Sequence, residues 1–122
     1  ITPATAGVTF ALIYMTGAND HGITALDYST GYAQVVNKAK NAGFVGRVFV
    51  PKYSILTGSA DSGVTTGQAN LIDNVTYFFG GDLDALPNSP NRQVDNTHFT
   101  ATGQANIASA IYAAMHASGS PF

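Results

Sequence analysis

The stretch Gly7-Val8-Thr9-Phe10-Ala11-Leu12-Ile13-Tyr14-Met15-Thr16 decides the fold. It is nearly continuously apolar and rich in β-formers, the pattern of a parallel strand buried on both faces. A small-residue lead, Ile1 to Ala6, precedes it, and Gly17-Ala18-Asn19-Asp20, a turn composition, ends it. Downstream, Tyr32, Val35, Val36 and Ala39 recur at helical spacing between about Ser29 and Ala42, and Gly43 stands where a helix closes. Val45 to Val50 reads as a second buried strand, closed by Pro51. The Ser/Gly/Thr-rich Lys52 to Thr66 reads as a loop, and Gly67 to Asn74 as a short helix. Val75 to Phe79 reads as a third strand, stopped by Gly80-Gly81. A polar loop, Asp82 to Thr97, leads to a last helix capped at Thr100 or Thr102. That helix carries Ile107, Ala108, Ile111, Tyr112 and Met115 on one face and is ended by Gly119 and Pro121. Strands alternating with helices predict βαβ units and a parallel sheet covered on both faces. In such sheets ligands bind beyond the C-terminal ends of the strands, where Gly17 to Asp20 falls.

Composition removes several function classes. In 122 residues, 45% are hydrophobic and only 10% charged, which excludes a disordered tail, and no apolar run is long enough for a membrane span. The acids are seven Asp and no Glu, and with five Lys+Arg the net charge is −2. So weak a charge gives no footprint for nucleic acid, and no basic amphipathic segment suits a membrane surface. The absence of cysteine excludes disulfides, thiolate metal sites and a Cys nucleophile. No charged n-region precedes an apolar h-region at Ile1, so no signal peptide is expected there. Sparse Lys beside abundant Gly, Ala, Thr, Asn and Ser suggests a secreted or extracellular protein.

Two constellations carry chemistry. In Gly17-Ala18-Asn19-Asp20, directly after a buried strand, Asn19 can aim an amide N–H into the crevice, as an oxyanion hole requires. In Asp95-Asn96-Thr97-His98, before the last helix, an imidazole suited to general-base work has a carboxylate three residues away. A chance G-x-N-D is expected roughly 0.05 times in such a composition and a chance D-x-x-H roughly 0.2 times. Both in the right order, each at its place in the strand–helix pattern, are far rarer.

Together these motifs resemble the SGNH (GDSL-type) hydrolase superfamily, esterases and lipases of flavodoxin-like fold with a Ser-His-Asp triad. The resemblance implies an α/β, three-layer flavodoxin-like parallel sheet, of which this chain supplies about three strands and the C-terminal helix. It makes residues 1–122 the C-terminal portion of a single domain. Gly17, Asn19 and Asp20 match the family's third block, which makes Asn19 an oxyanion donor. Asp95 and His98 match the fifth block, the acid and base of the triad. The run from Gln68 through Gly80-Gly81-Asp82-Leu83-Asp84 to His98-Phe99-Thr100-Ala101-Thr102-Gly103 looks most like the carbohydrate O-acetylesterase branch. The implied activity is serine ester hydrolysis of an acylated carbohydrate, with no metal or cofactor.

The first block, which carries the nucleophile, has no match before Gly17. Asp61-Ser62-Gly63 is no substitute, since it follows the third-block match and no buried strand leads into it. The serine is therefore expected on a second polypeptide segment, and the first strand is expected to expose an apolar edge. The alternative is a non-catalytic carbohydrate-binding or structural module on a hydrolase-like scaffold.

Other residues have plainer readings. His21 reads as solvated, and His116 as a cation complementing the last helix's dipole. Asp82 and Asp84 fail calcium-loop spacing and read as structural. No zinc spacing is present. The sequon Asn74-Val75-Thr76 falls at the start of a predicted buried strand and is discounted. Phe78, Phe79 and Phe99 read as core.

Overall fold

A computed structural model of the chain describes residues 10–117, 119 and 120. The small-residue lead, the strand's start at Gly7 and the stop at Pro121 lie outside the described residues. The order is β1 (Ala11–Ile13), α1 (Ala25–Asn41), β2 (Arg47–Lys52), α2 (Ser62–Leu71), β3 (Tyr77–Asp82), α3 (Asn88–Asn91) and α4 (Ala101–Met115). The class is mixed α/β. The three strands are parallel in the order β1-β2-β3, with Ala11 opposite Arg47 and Phe49 opposite Phe78. Their C-terminal ends therefore share one edge of the sheet, and the segments that leave them are neighbours there.

Helix α1 begins four residues before the predicted Ser29 because Thr24 and Asp27 cap it reciprocally. The Thr24 hydroxyl accepts from the Asp27 N–H at 3.1 Å and donates to the Asp27 carboxylate at 2.7 Å. Its buried stripe is Tyr28, Tyr32 and Val36, strictly four apart, which leaves Val35 exposed, contrary to the reading of the sequence. These side chains pack on Val48 and Val50 of β2, with Val64 and Leu71 of α2, to form the main core. Tyr28 and Tyr32 also donate to the carbonyls of Thr16 (2.9 Å) and Tyr14 (2.8 Å), tying α1 to the chain leaving β1. Burial pushes the Tyr28 hydroxyl up to about 12 and raises that of Tyr32 as well.

The opposite face of the sheet carries Phe49 and Phe78, whose rings lie 5.8 Å apart. Helix α4 lies over β3 on this side, with Ala110 and Ala114 lining an open groove beside the two phenylalanines. Thr100 is its cap, accepting from the Gly103 N–H at 3.0 Å. A Cβ on Gly103 would fall 2.0 Å from the Asn91 carbonyl oxygen, so only glycine lets this first turn sit against α3. The partly buried side chains of α4 are Ile107, Ala110, Ile111, Ala114 and Met115, as read for Ile107, Ile111 and Met115, whereas Ala108 is exposed. Tyr112 is exposed, contrary to expectation, because it stacks on His116 at 4.3 Å instead of facing the sheet.

Strand β1 is not buried on both faces. Phe10, Ile13 and Met15 are each more than 40% exposed. Helix α4 packs chiefly on β3, and among the described residues no strand pairs with the outer side of β1. The third strand starts at Tyr77, not Val75, because one Asp73 carboxylate oxygen gathers the amides of Val75, Thr76 and Tyr77 into a turn. The sequon Asn74-Val75-Thr76 consequently stands on an exposed turn, not in a buried strand. The same strand runs through Gly80-Gly81 to Asp82, and Phe79 is half-exposed rather than core.

Candidate active site

Asp95 and His98 are brought together. The imidazole Nδ1 lies 2.6 Å from Asp95 Oδ2, while Asp95 Oδ1 accepts from the backbone N–H of Thr97 (2.9 Å) and His98 (3.0 Å). Asn96 takes a left-handed conformation, φ 53°, which folds the four residues into a tight turn. The hydrogen bond from His98, then those from the two amides, holds the Asp95 carboxyl down to about 2. An ionised carboxylate only accepts, so the proton lies on Nδ1 and the neutral ring keeps its free lone pair on Nε2. The His98 side chain is 74% exposed, open to a reacting group.

The pH dependence of this pair follows. Asp95 is lowered in the folded chain, so its contribution to the turn is full above the ordinary carboxylate value of 3.8 and is lost as pH falls through about 2. A carboxyl ¹³C titration should place the Asp95 midpoint at about 2, with the Thr97 and His98 amide resonances moving on the same curve. A midpoint near 3.8 would disprove the three-bond arrangement.

Asn19 is exposed on the turn that leaves β1, whose residues Gly17 and Asp20 are closed by a backbone bond of 3.0 Å. Gly17 has φ 135°, and a Cβ on it would lie 2.2 Å from the Tyr53 carbonyl oxygen, so glycine is obligatory here. Among the described residues no hydrogen bond joins Asn19 to His98. What they share is residues 53–58, the segment leaving β2. Gly17 lies against Tyr53, and the Tyr53 ring packs on Phe99, the neighbour of His98, at 5.8 Å. Farther along, the Thr57 N–H donates to Thr97 Oγ1 (2.7 Å) and the Gly58 N–H to the Asn96 carbonyl (3.1 Å).

The support of this platform was only partly read from the sequence, and the role of Gln68 was not. Gln68, 2% exposed, bonds both the N–H (3.2 Å) and the carbonyl (2.9 Å) of Tyr53, together with the Thr16 carbonyl and the Tyr28 hydroxyl (3.1 Å each). A glutamine four residues after Val64 and three before Leu71, on the apolar stripe of α2, was the available signal. Asp84 accepts from the Ser54 N–H (2.9 Å), the Ser54 hydroxyl (2.6 Å) and the Ile55 N–H (3.3 Å), while Asp82 pairs with Lys52 at 2.9 Å. Both aspartates are thus structural, as read. His21 is not merely solvated, since its Nε2 donates to the Ser54 carbonyl at 2.6 Å. Asp61 caps α2 through the Val64 N–H and also accepts from the Gly22 N–H; these two bonds, that of Gly22 first, lower its carboxyl. Ser62 is simply the exposed first residue of that helix.

No family model, curated protein or solved structure matches this chain.

Proposed function

We propose that this chain supplies the general base, the acid and one oxyanion donor of a serine ester hydrolase. The observation that carries the reading is the 2.6 Å bond between His98 and an Asp95 held ionised, which leaves Nε2 as the free base. In this reading a serine hydroxyl attacks the acyl carbonyl while His98 takes its proton. Asp95 stabilises the imidazolium as it forms, and the Asn19 amide donates to the tetrahedral oxyanion. The imidazolium then protonates the leaving alcohol, and water repeats the sequence on the acyl-enzyme.

The finer assignment is to the SGNH hydrolases, with a flavodoxin-like sheet in which β1, β2 and β3 are the last three strands in sheet order. Parallel pairing in the order β1-β2-β3, with no strand on the outer side of β1 among the described residues, supports it. The serine then belongs to a polypeptide segment beyond these 122 residues that adds to that side, in a secreted enzyme acting on O-acetylated carbohydrate.

The test uses the protein assembled with its serine-bearing segment. It should release acetate from an O-acetylated sugar and hydrolyse p-nitrophenyl acetate. A fluorophosphonate label, located by peptide mass spectrometry, should sit outside residues 1–122. A label on Ser62 or any other serine of this chain would overturn the assignment. Asn19→Ala should lower kcat by about 10²–10³, the usual loss of one oxyanion donor, with little change in KM. An unchanged kcat would remove Asn19 from the oxyanion hole.

A further inference from the structure

Arg92 is 5% exposed, yet among the described residues it has no ion pair with a carboxylate. A buried guanidinium without an anion is expensive, and an apolar side chain of similar volume would fill the space at no desolvation cost. Dipoles meet the charge instead. Nη1 donates to the Thr97 carbonyl at 3.0 Å and Nη2 to the Leu83 carbonyl at 3.4 Å, while the guanidinium lies 4.3 Å over the Phe99 ring. Nε is buried without a hydrogen-bond partner among the described residues, so the site tolerates an incompletely satisfied cation.

The targets of these contacts matter. Thr97 precedes His98 and Phe99 follows it, and Leu83 leaves the end of β3. An isolated bridge between Arg92 and Phe99 and the bond from the Gln93 N–H to the His98 carbonyl (2.7 Å) add backbone contacts to the same turn. An apolar residue could not join carbonyls from two separate segments. We infer that Arg92 is a positioning residue for His98, fixing from beneath the turn in which Asp95 sets the Nδ1–H tautomer. The inference rests on His98 acting as general base through Nε2.

The experiment is a long-range ¹H–¹⁵N correlation of the histidine rings in the labelled chain, at about pH 8 where an ordinary imidazole is neutral. The unsubstituted chain should show His98 as the Nδ1–H tautomer. Arg92→Met should move the tautomer ratio toward Nε2–H by about threefold or more, because the ring's partner is no longer held in place. His21, whose Nε2 donates to the Ser54 carbonyl and which has no hydrogen bond to Arg92 among the described residues, should keep its Nε2–H form and serves as the internal control. Should Arg92→Met fail to fold, Arg92→Lys carries the same expectation, since an ammonium keeps the charge but cannot fork between two carbonyls. An unchanged His98 ratio in a folded variant overturns the role of Arg92 alone. An equal shift at His21 overturns it too, because the effect would then be general loosening. An Nε2–H tautomer in the unsubstituted chain overturns the Asp95–His98 pair, and the functional reading with it.

Discussion

His98→Ala should lower kcat for ester hydrolysis by about 10³–10⁶ in the assembled enzyme, with KM within a few-fold of its original value. The ring is the only imidazole among the described residues bonded to a carboxylate, and its free nitrogen is the atom that takes the serine proton in the reaction proposed above. Asp95→Asn should cost about 10⁴, because an amide can donate to Nδ1 and so stabilise the wrong tautomer. The two substitutions together should cost little more than His98→Ala alone, since both remove the same proton transfer. Because Asp95 is held down at about 2, its own protonation should not form the acid limb of a pH–rate profile measured near neutrality. Undiminished hydrolysis by His98→Ala would refute the mechanism.

Gln68→Met should destabilise the chain by about 3–5 kcal/mol. Methionine matches glutamine in length but satisfies nothing. The Tyr53 N–H and carbonyl would each lose the partner Gln68 gives them, while Thr16 and Tyr28 would keep their own mutual bond. Two orphaned backbone groups in a buried setting cost about 1–3 kcal/mol each, with the lost bond to the tyrosine hydroxyl in addition. A domain of this size should then melt about 10–20 °C lower. Thermal unfolding followed by circular dichroism measures it, and a shift of less than about 3 °C would show that water replaces the amide at no cost. Gln68 spans the ends of β1 and β2, so its loss should also loosen the Gly17 turn that carries Asn19.

The sequence made the alternation of strand and helix legible because β2 and β3 carry apolar runs that are largely buried and α1 buries a regular stripe. It also made the Asp95–His98 pair legible, since three residues of tight turn bring those side chains together almost regardless of context. The start of α2 was hidden because its cap, Asp61, sits in a Ser/Gly/Thr-rich stretch that looks like loop, and with those first residues went the Val64–Gln68–Leu71 stripe. Arg92 was hidden for a different reason. Its partners are carbonyls, which every residue possesses, so no complementary charge in the sequence announces them. The exposure of β1 could not be read from its own residues, because an apolar run records what a strand can bury and not which neighbours are present.

The two sides of the sheet are unequally furnished. One holds the tyrosines, valines and leucine under α1 and α2, whereas the other holds Phe49 and Phe78, and α4 has a single fully buried residue, Gly103. Helix α4 is therefore held by less apolar burial than α1, while the turn before it is tied to the segments leaving β2 and β3 by the bonds of Thr57, Gly58 and Arg92. The proposed base thus sits between that helix and the strand ends, while the proposed oxyanion donor stands on the turn leaving the exposed strand β1. A serine-bearing partner that completed the sheet and covered the α4 side would fasten the two halves of the chemistry in the same step that brought the nucleophile.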